Sequence, residues 1–205
     1  MMNPFTFTCS SFHRYILLFL LMLTSGFSLA QKFNGIECGK PLNETITAFV
    51  AKGFVKKKFD PESPNLTSFV GSINGVKHEV AVVATPQTKI VWKFIIWLPE
   101  TSSWSSSKSM YFRYREIFIK KYGEPISDHS FFSSPYEEGD GNEMLALNNK
   151  KCTYLSSFND EDGNGLLIKL ASYQYGEAQV VLHYENKIAS LIDDKESSQI
   201  EQNTY

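Results

Sequence analysis

Cysteine is scarce in this chain: Cys9, Cys38 and Cys152 are the three among 205 residues. So low a count excludes a disulfide-dense scaffold, and no CxxC pair is present for zinc binding or thiol exchange. The chain also lacks GxSxG, HExxH and a P-loop, so the common signatures of serine hydrolases, zinc proteases and nucleotide-binding enzymes are missing. Neither sign of charge dominates, with 20 Lys+Arg against 22 Asp+Glu and a net charge of −2. A balanced surface carries no electrostatic footprint for nucleic acid or an anionic membrane. The run ILLFLLML, Ile16 to Leu23, is far shorter than the roughly 20 residues of a spanning helix.

That short run has a different meaning in its context. It follows a stretch with one basic residue, Arg14, and no acid, and it leads into Ser28 and Ala30 before Gln31. Basic start, short apolar core and small residues at −3 and −1 define a secretory signal, residues 1–30, with cleavage expected after Ala30. No cysteine stands at the cut, so a lipid anchor is not expected. The protein is expected to be exported, periplasmic or extracellular. Residues 31–205 are long enough for one domain with a real core, and 14% aromatics argue against disorder.

The pattern predicts a helix after Asn43, its expected N-cap, with Ile46, Phe49, Val50 and Phe54 at helical spacing and Gly53 at the stop. KKKFDPESPN reads as a polar loop whose lysines, Lys56 to Lys58, are offset by Asp60 and Glu62. SFVGSI and VKHEVAVVAT flank Asn74-Gly75, a hairpin dipeptide in which both residues take positive φ. KIVWKFIIWLP is apolar on both parities, as expected for a central strand covered on both faces. A second helix, SSWSSSKSMYFRYREIFIKKYGEP, gathers Trp104, Met110, Tyr111, Tyr114, Ile117, Phe118 and Tyr122 on one arc. Phe112 and Ile119 lie off that arc. Its cations fall on two flanks, which disfavours a phosphate-tracking groove. ISDHSFFSSPYEEGDGNEM reads as a polar segment, and KCTYLSSF, GLLIKLASYQY and AQVVLHYENKI as three more strands.

The two halves repeat the same order: helix ending in Gly, strand, tight turn, strand, turn, strand. The expected architecture is α+β, with tandem α-β-β-β units at about 43–99 and 103–190 and two helices on antiparallel sheet. One domain spans 31–190, followed by a polar acidic tail, 191–205.

The signal peptide, FNGIECGKPLNETITAFVAKGF, the SSW…KKYGEP helix and the closing VVLHYENKIAS resemble small secreted proteins of Bacteroidetes without an assigned function. The helix-then-sheet unit is also similar to envelope folds of outer-membrane assembly lipoproteins and β-lactamase-inhibitor proteins. That resemblance implies a periplasmic setting and an envelope-assembly or inhibitory role. The missing anchor cysteine departs from the assembly lipoproteins.

The sharpest chemical motif is FNDEDGNGLLIKL. Asp160, Asp162, Asn164 and Gly165 match positions 1, 3, 5 and 6 of a calcium loop, and Leu167 matches position 8. Position 12 is Ala171, where a bidentate Glu is required, and the flanks are strand-like. A hairpin turn is therefore the expected reading, because Asp, Asn and Gly tolerate turn conformations. A weak Ca²⁺ site is the alternative, and no other cofactor is expected. Cys38 and Cys152 are either a bridge or two buried free thiols. A bridge would close a loop of over a hundred residues, worth about 4–5 kcal/mol in the chain-entropy model.

The histidines after the signal are His78, His129 and His183. His78 shares parity with Val76, Val80 and Val82, as for a satisfied buried side chain, and His183 faces away from Val180, Leu182 and Tyr184. Asp128-His129-Ser130, read as loop, are neighbours in sequence, which does not make a triad. No catalytic residue is expected. The expectation is an exported, non-catalytic binding protein with a protein partner. The alternatives are an enzyme of unfamiliar type using Cys or His, and a calcium-stabilised structural module.

Overall fold

A computed structural model describes residues 32–58 and 63–204. The signal peptide with its cleavage after Ala30, together with Cys9, Asp60 and Glu62, lies outside the described residues. The elements run in the order β1 (Lys32–Phe33), β2 (Ile36–Glu37), α1 (Leu42–Ala51), β3 (Val55–Lys57), β4 (Leu66–Ile73), β5 (Val76–Ala84), β6 (Val91–Trp97) and α2 (Trp104–Tyr122). They continue with β7 (Ser127–Phe132), α3 (Glu143–Asn148), β8 (Cys152–Asn159), β9 (Gly165–Ala171), β10 (Gln179–Glu185) and α4 (Lys187–Thr204). Among the described residues no helix is long and apolar enough to cross a membrane.

Eight strands form one antiparallel sheet in the order β3-β4-β5-β6-β10-β9-β8-β7. Each half is thus a helix followed by a meander, and the two halves meet where their last strands, β6 and β10, pair. The class is α+β, mostly sheet with helices. At the seam Phe94 lies opposite Tyr184 and Ile96 opposite Leu182. Residues directly opposite share a face, so this register joins two apolar surfaces into one.

That shared face carries the core. Phe49 of α1 stacks on Phe69 at 4.8 Å and meets Phe54 and Phe94 edge-on at 5.3 and 5.6 Å. Tyr111 and Phe118 of α2 pack against Tyr154 and Phe158 of β8 at 5.5 and 5.9 Å. Buried aromatics remove about 150–250 Å² each from water, which makes these two clusters the main hydrophobic contribution of each helix. Gly71 on β4 leaves room for the ring of Phe54; a Cβ there would sit 2.4 Å from it.

Asn74 and Gly75 take φ of 52° and 80°, as the hairpin requires. Ser103 caps α2 by accepting the Ser106 N–H, and Gly123 ends that helix. The first helix starts one residue before Asn43, at Leu42 after Pro41, and Asn43 makes no cap. Ile117, placed on the apolar arc by the wheel, is 46% exposed, since the arc is wider than the surface available to it.

Four segments differ from their polar appearance. Val55–Lys57 is a short edge strand paired to β4. Asp128, His129 and Ser130 lie on β7, the opposite edge strand, with no loop there. Glu143–Asn148 is a helix, because Ala146 and Leu147 reach the core. The acidic tail, residues 191–204, belongs to α4. Asn186 Oδ1 accepts the Ala189 N–H at its start. Glu196 on its inner side accepts the backbone N–H groups of Gln87 and Thr88 in the β5–β6 turn. α4 packs against β6. Its Ala189 is buried but outside the main core cluster, as are Ala81 and Val181 of the reverse sheet face. On the reverse face Ile95 and Trp97 of β6 are half-buried, so the strand is fully covered on its core face alone. A register shift at Val83/Ala84 carries Val91 to the core, and the strand falls short of the cover on both faces that its two apolar parities predicted.

Candidate functional site

The acidic motif is the turn between β8 and β9. Asp160 Oδ1 accepts the backbone N–H groups of Asp162 and Asn164 at 3.1 and 2.8 Å, and Oδ2 accepts the Asn164 side-chain amide at 2.9 Å. Asn164 Oδ1 in turn accepts the Lys187 N–H at 3.1 Å, tying the turn to the start of α4. These oxygens, of Asp160 and Asn164 at calcium-loop positions 1 and 5, are spent on the turn. Among the described residues no group of three or more His, Cys, Asp or Glu side chains is placed to hold a metal. The second acidic loop closes on itself as well, with Asp140 accepting from Glu137 and Asn142 and Glu143 from Gly139.

Cys38 and Cys152 are both buried free thiols, and the bridge does not form. The Cys38 thiol donates to the Val91 carbonyl at 3.7 Å, at the start of β6, whereas Cys152 starts β8 opposite Phe132. β10 and β9 lie between those two strands and β6 and β8 run antiparallel, so the thiols sit at opposite ends of the sheet. Three strand spacings of about 4.8 Å exceed the roughly 7 Å limit for a bridge. Burial pushes both thiols up to about 12, so neither is a ready nucleophile.

The histidines are spread over the sheet. His78 is buried, its Nδ1 2.8 Å from the Val76 carbonyl. On β7, side chains alternate: Asp128 and Ser130 share the helix-covered face with Tyr154 and Ser156, while His129 points to the other face and meets Ser127 Oγ at 2.8 Å. No Asp-His-Ser relay exists there. Instead Tyr111 OH lies 2.5 Å from Ser156 Oγ, Ser156 donates to Asp128 Oδ1 at 2.7 Å, and Arg115 closes the chain on Asp128. The Arg115 guanidinium holds the Asp128 carboxyl below its ordinary range. His183 stands on the reverse face between Ile95 and Leu167. Burial, aided by Lys93 and Lys169, pushes it down to about 3, so its ring is neutral.

A concavity lies elsewhere, at the end of that reverse face. A cleft of about 380 Å³ is lined by Trp97, Tyr173, Glu79, Glu100, Gln179 and Ser68, among others. The register builds it. Glu79 faces Trp97 across β5 and β6, and Trp97 faces Val181 across β6 and β10. Beyond the strands Thr101 and Ala178 exchange backbone bonds of 2.8 and 2.9 Å, which sets Glu100 beside Glu177. The hydrogen bond that the protonated Glu100 carboxyl donates to Glu177 holds Glu100 above the usual carboxyl range. Lys57 reaches Glu79 with contacts of 3.0 and 3.2 Å, and Gln179 Nε2 donates to Glu100 at 3.4 Å. The Ser68 hydroxyl is buried without a hydrogen-bond partner.

Trp97 is a residue the sequence marks, through its place on the second apolar parity of β6. Glu79 follows from strand alternation once β5 is recognised. Gln179 comes to the cleft at the start of β10 and Tyr173 in the connection from β9 to β10, and no local pattern signals the β6–β10 pairing that brings them there. The cleft has no histidine or cysteine, and the hydroxyl of its one lining serine, Ser68, makes no hydrogen bond to Lys57, Lys77 or Glu79 nearby. Its chemistry is that of recognition: an aromatic wall, carboxylates and an amide around an apolar floor. No family model, no curated protein and no solved structure matches this chain.

Proposed function

We propose that the protein is an exported, non-catalytic binding protein that holds a protein partner on the reverse face of its sheet, with a partner side chain seated beside Trp97. The observation that carries this reading is the cleft itself, which joins an indole, an exposed tyrosine and a carboxyl pair, and whose one serine hydroxyl makes no hydrogen bond to a base. Aromatic side chains with a polar rim are the usual anchors of protein interfaces. The signal sequence and the resemblance to secreted envelope proteins support a role outside the cytoplasm. The Cys or His enzyme reading has less support, since the thiols are buried and the three histidines occupy separate strands. The calcium-module reading would require Asp160 to release the bonds that form its turn. The test is binding of envelope proteins to immobilised protein and to Trp97→Ala. Saturable retention lost in the variant, with the fold intact by circular dichroism, supports the proposal. Retention unchanged by the variant would move the interface away from the cleft.

A further inference from the structure

The two edges of the sheet are built differently. β3 is three residues long and carries Lys56 and Lys57, with Lys58 just beyond. Short length and lysines are how sheets block unwanted strand addition. β7 is six residues long and carries no lysine. Asp128 to Phe131 are all exposed along it.

The hydrogen-bond phase of β7 follows from two bonds. Ser133 N–H donates to the Lys151 carbonyl, and Asp160 N–H to the Asn164 carbonyl. With the observed register, the odd residues of β8 turn toward β7 and the even ones toward β9. On β7, His129 and Phe131 therefore turn their backbone groups inward. Asp128, Ser130 and Phe132 turn theirs outward, where no strand pairs among the described residues.

Apolar side chains border that row. Phe131 is 50% exposed on the reverse face, and Ile126, just before the strand, is 67% exposed. On the helix side Phe112 falls on the same flank of α2 as Arg115, whose guanidinium reaches Asp128 of β7. Phe112 is 37% exposed. Backbone groups in an extended row are complementary to another extended chain, and alternating neighbours such as Phe131 select its side chains.

We infer that β7 is a docking edge that accepts an extended segment of a protein partner as a ninth strand, with an apolar residue of that segment beside Phe131. A six-residue edge is small against the roughly 800 Å² per partner of a stable dimer, which favours an inserted peptide over a second copy. This surface is distinct from the Trp97 cleft and does not depend on it.

A fluorescein-labelled peptide of residues 152–159 carrying Cys152→Ser is the probe, because that sequence already pairs with β7 from the inside. The expected result is saturable binding that slows amide exchange at Asp128, Ser130 and Phe132, with a scrambled peptide inert. Ser130→Pro removes one outward donor and leaves the inner ladder whole; it should weaken binding by about tenfold, the loss of roughly one backbone hydrogen bond plus its neighbours' alignment. Trp97→Ala should bind the peptide normally. Should Ser130→Pro not fold, the exchange pattern of the unaltered protein decides. Unchanged exchange at the three amides, equal affinity for a folded Ser130→Pro, or protection that rises with protein concentration without peptide would each overturn the inference, the last by placing a second copy on the edge.

Discussion

Tyr111 of α2 and Ser156 of β8 meet through their hydroxyls at 2.5 Å, and both side chains are fully buried. Through Ser156 this contact extends to Asp128 and Arg115, so one polar chain ties the second helix to two strands. Ser156→Ala leaves the Tyr111 hydroxyl buried without that partner, and the expected cost is about 1–3 kcal/mol. Tyr111→Phe with Ser156→Ala should cost less than the two single changes added, because the double variant leaves no orphaned hydroxyl on either side. Urea denaturation of the four proteins measures this; additive costs would dissolve the coupling.

Gly71→Ala should destabilise the protein by about 1–3 kcal/mol, since the new methyl meets the Phe54 ring and overpacks the first aromatic cluster. Adding Phe54→Leu should recover part of the loss. A thermal melt of Gly71→Ala that matches the parent would show that the ring moves aside freely.

The neutral state of His183 makes stability depend on pH. Its folded pKa, about 3, lies below its ordinary value of about 6.5. Between those values the unfolded chain binds the proton and the folded one does not, so stability falls as pH drops from about 6.5 toward 3. The slope from this group is at most about 1.4 kcal/mol per pH unit, and partial exposure reduces it. Asp128 acts in the same direction at lower pH. Its pKa is depressed by Arg115, so its contribution is present above the ordinary Asp value of about 3.9 and is lost as pH falls through the folded value. His183→Asn should flatten the acid limb between pH 6 and about 4; an unchanged limb would contradict the buried neutral ring.

Cys38 and Cys152 should both alkylate after unfolding without reductant, and both should resist thiol reagents in the folded protein at neutral pH. Intact mass reads the outcome. A species two hydrogens lighter that resists alkylation until reduced would restore the bridge.

Asp160→Ala removes the acceptor for three donors in the β8–β9 turn and should cost about 1–2 kcal/mol. The loss should be the same with and without millimolar calcium. A melting temperature that rises with calcium in the parent and not in the variant would establish an ion site in this turn.

Much of the architecture was legible because the apolar patterns were strong. Phe49, Val80, Phe94 and Ile168 fall on regular periods, and Asn74-Gly75 and Gly123 punctuate them. The repeated order of elements then implied the antiparallel sheet. The edges were not legible: β7 buries little, so Ser127 to Phe132 have no apolar alternation to display. α4 was hidden for a related reason. Its inner side uses Ala189 and Glu196, a small residue and an acid, and its outer side exposes Ile188 and Leu191. The cleft was half legible. Trp97 stood out on its strand, whereas Tyr173 and Gln179 reach it through the β6–β10 register, which is a property of the assembled sheet.

The central claim is that Trp97 and its neighbours hold a protein partner. The direct measurement is retention of envelope proteins on immobilised wild-type protein, Trp97→Ala and Ser130→Pro, each confirmed to be folded. The account predicts a saturable partner on the wild type that is lost with Trp97→Ala. No specific partner at native concentration, or one held equally by Trp97→Ala, would contradict it.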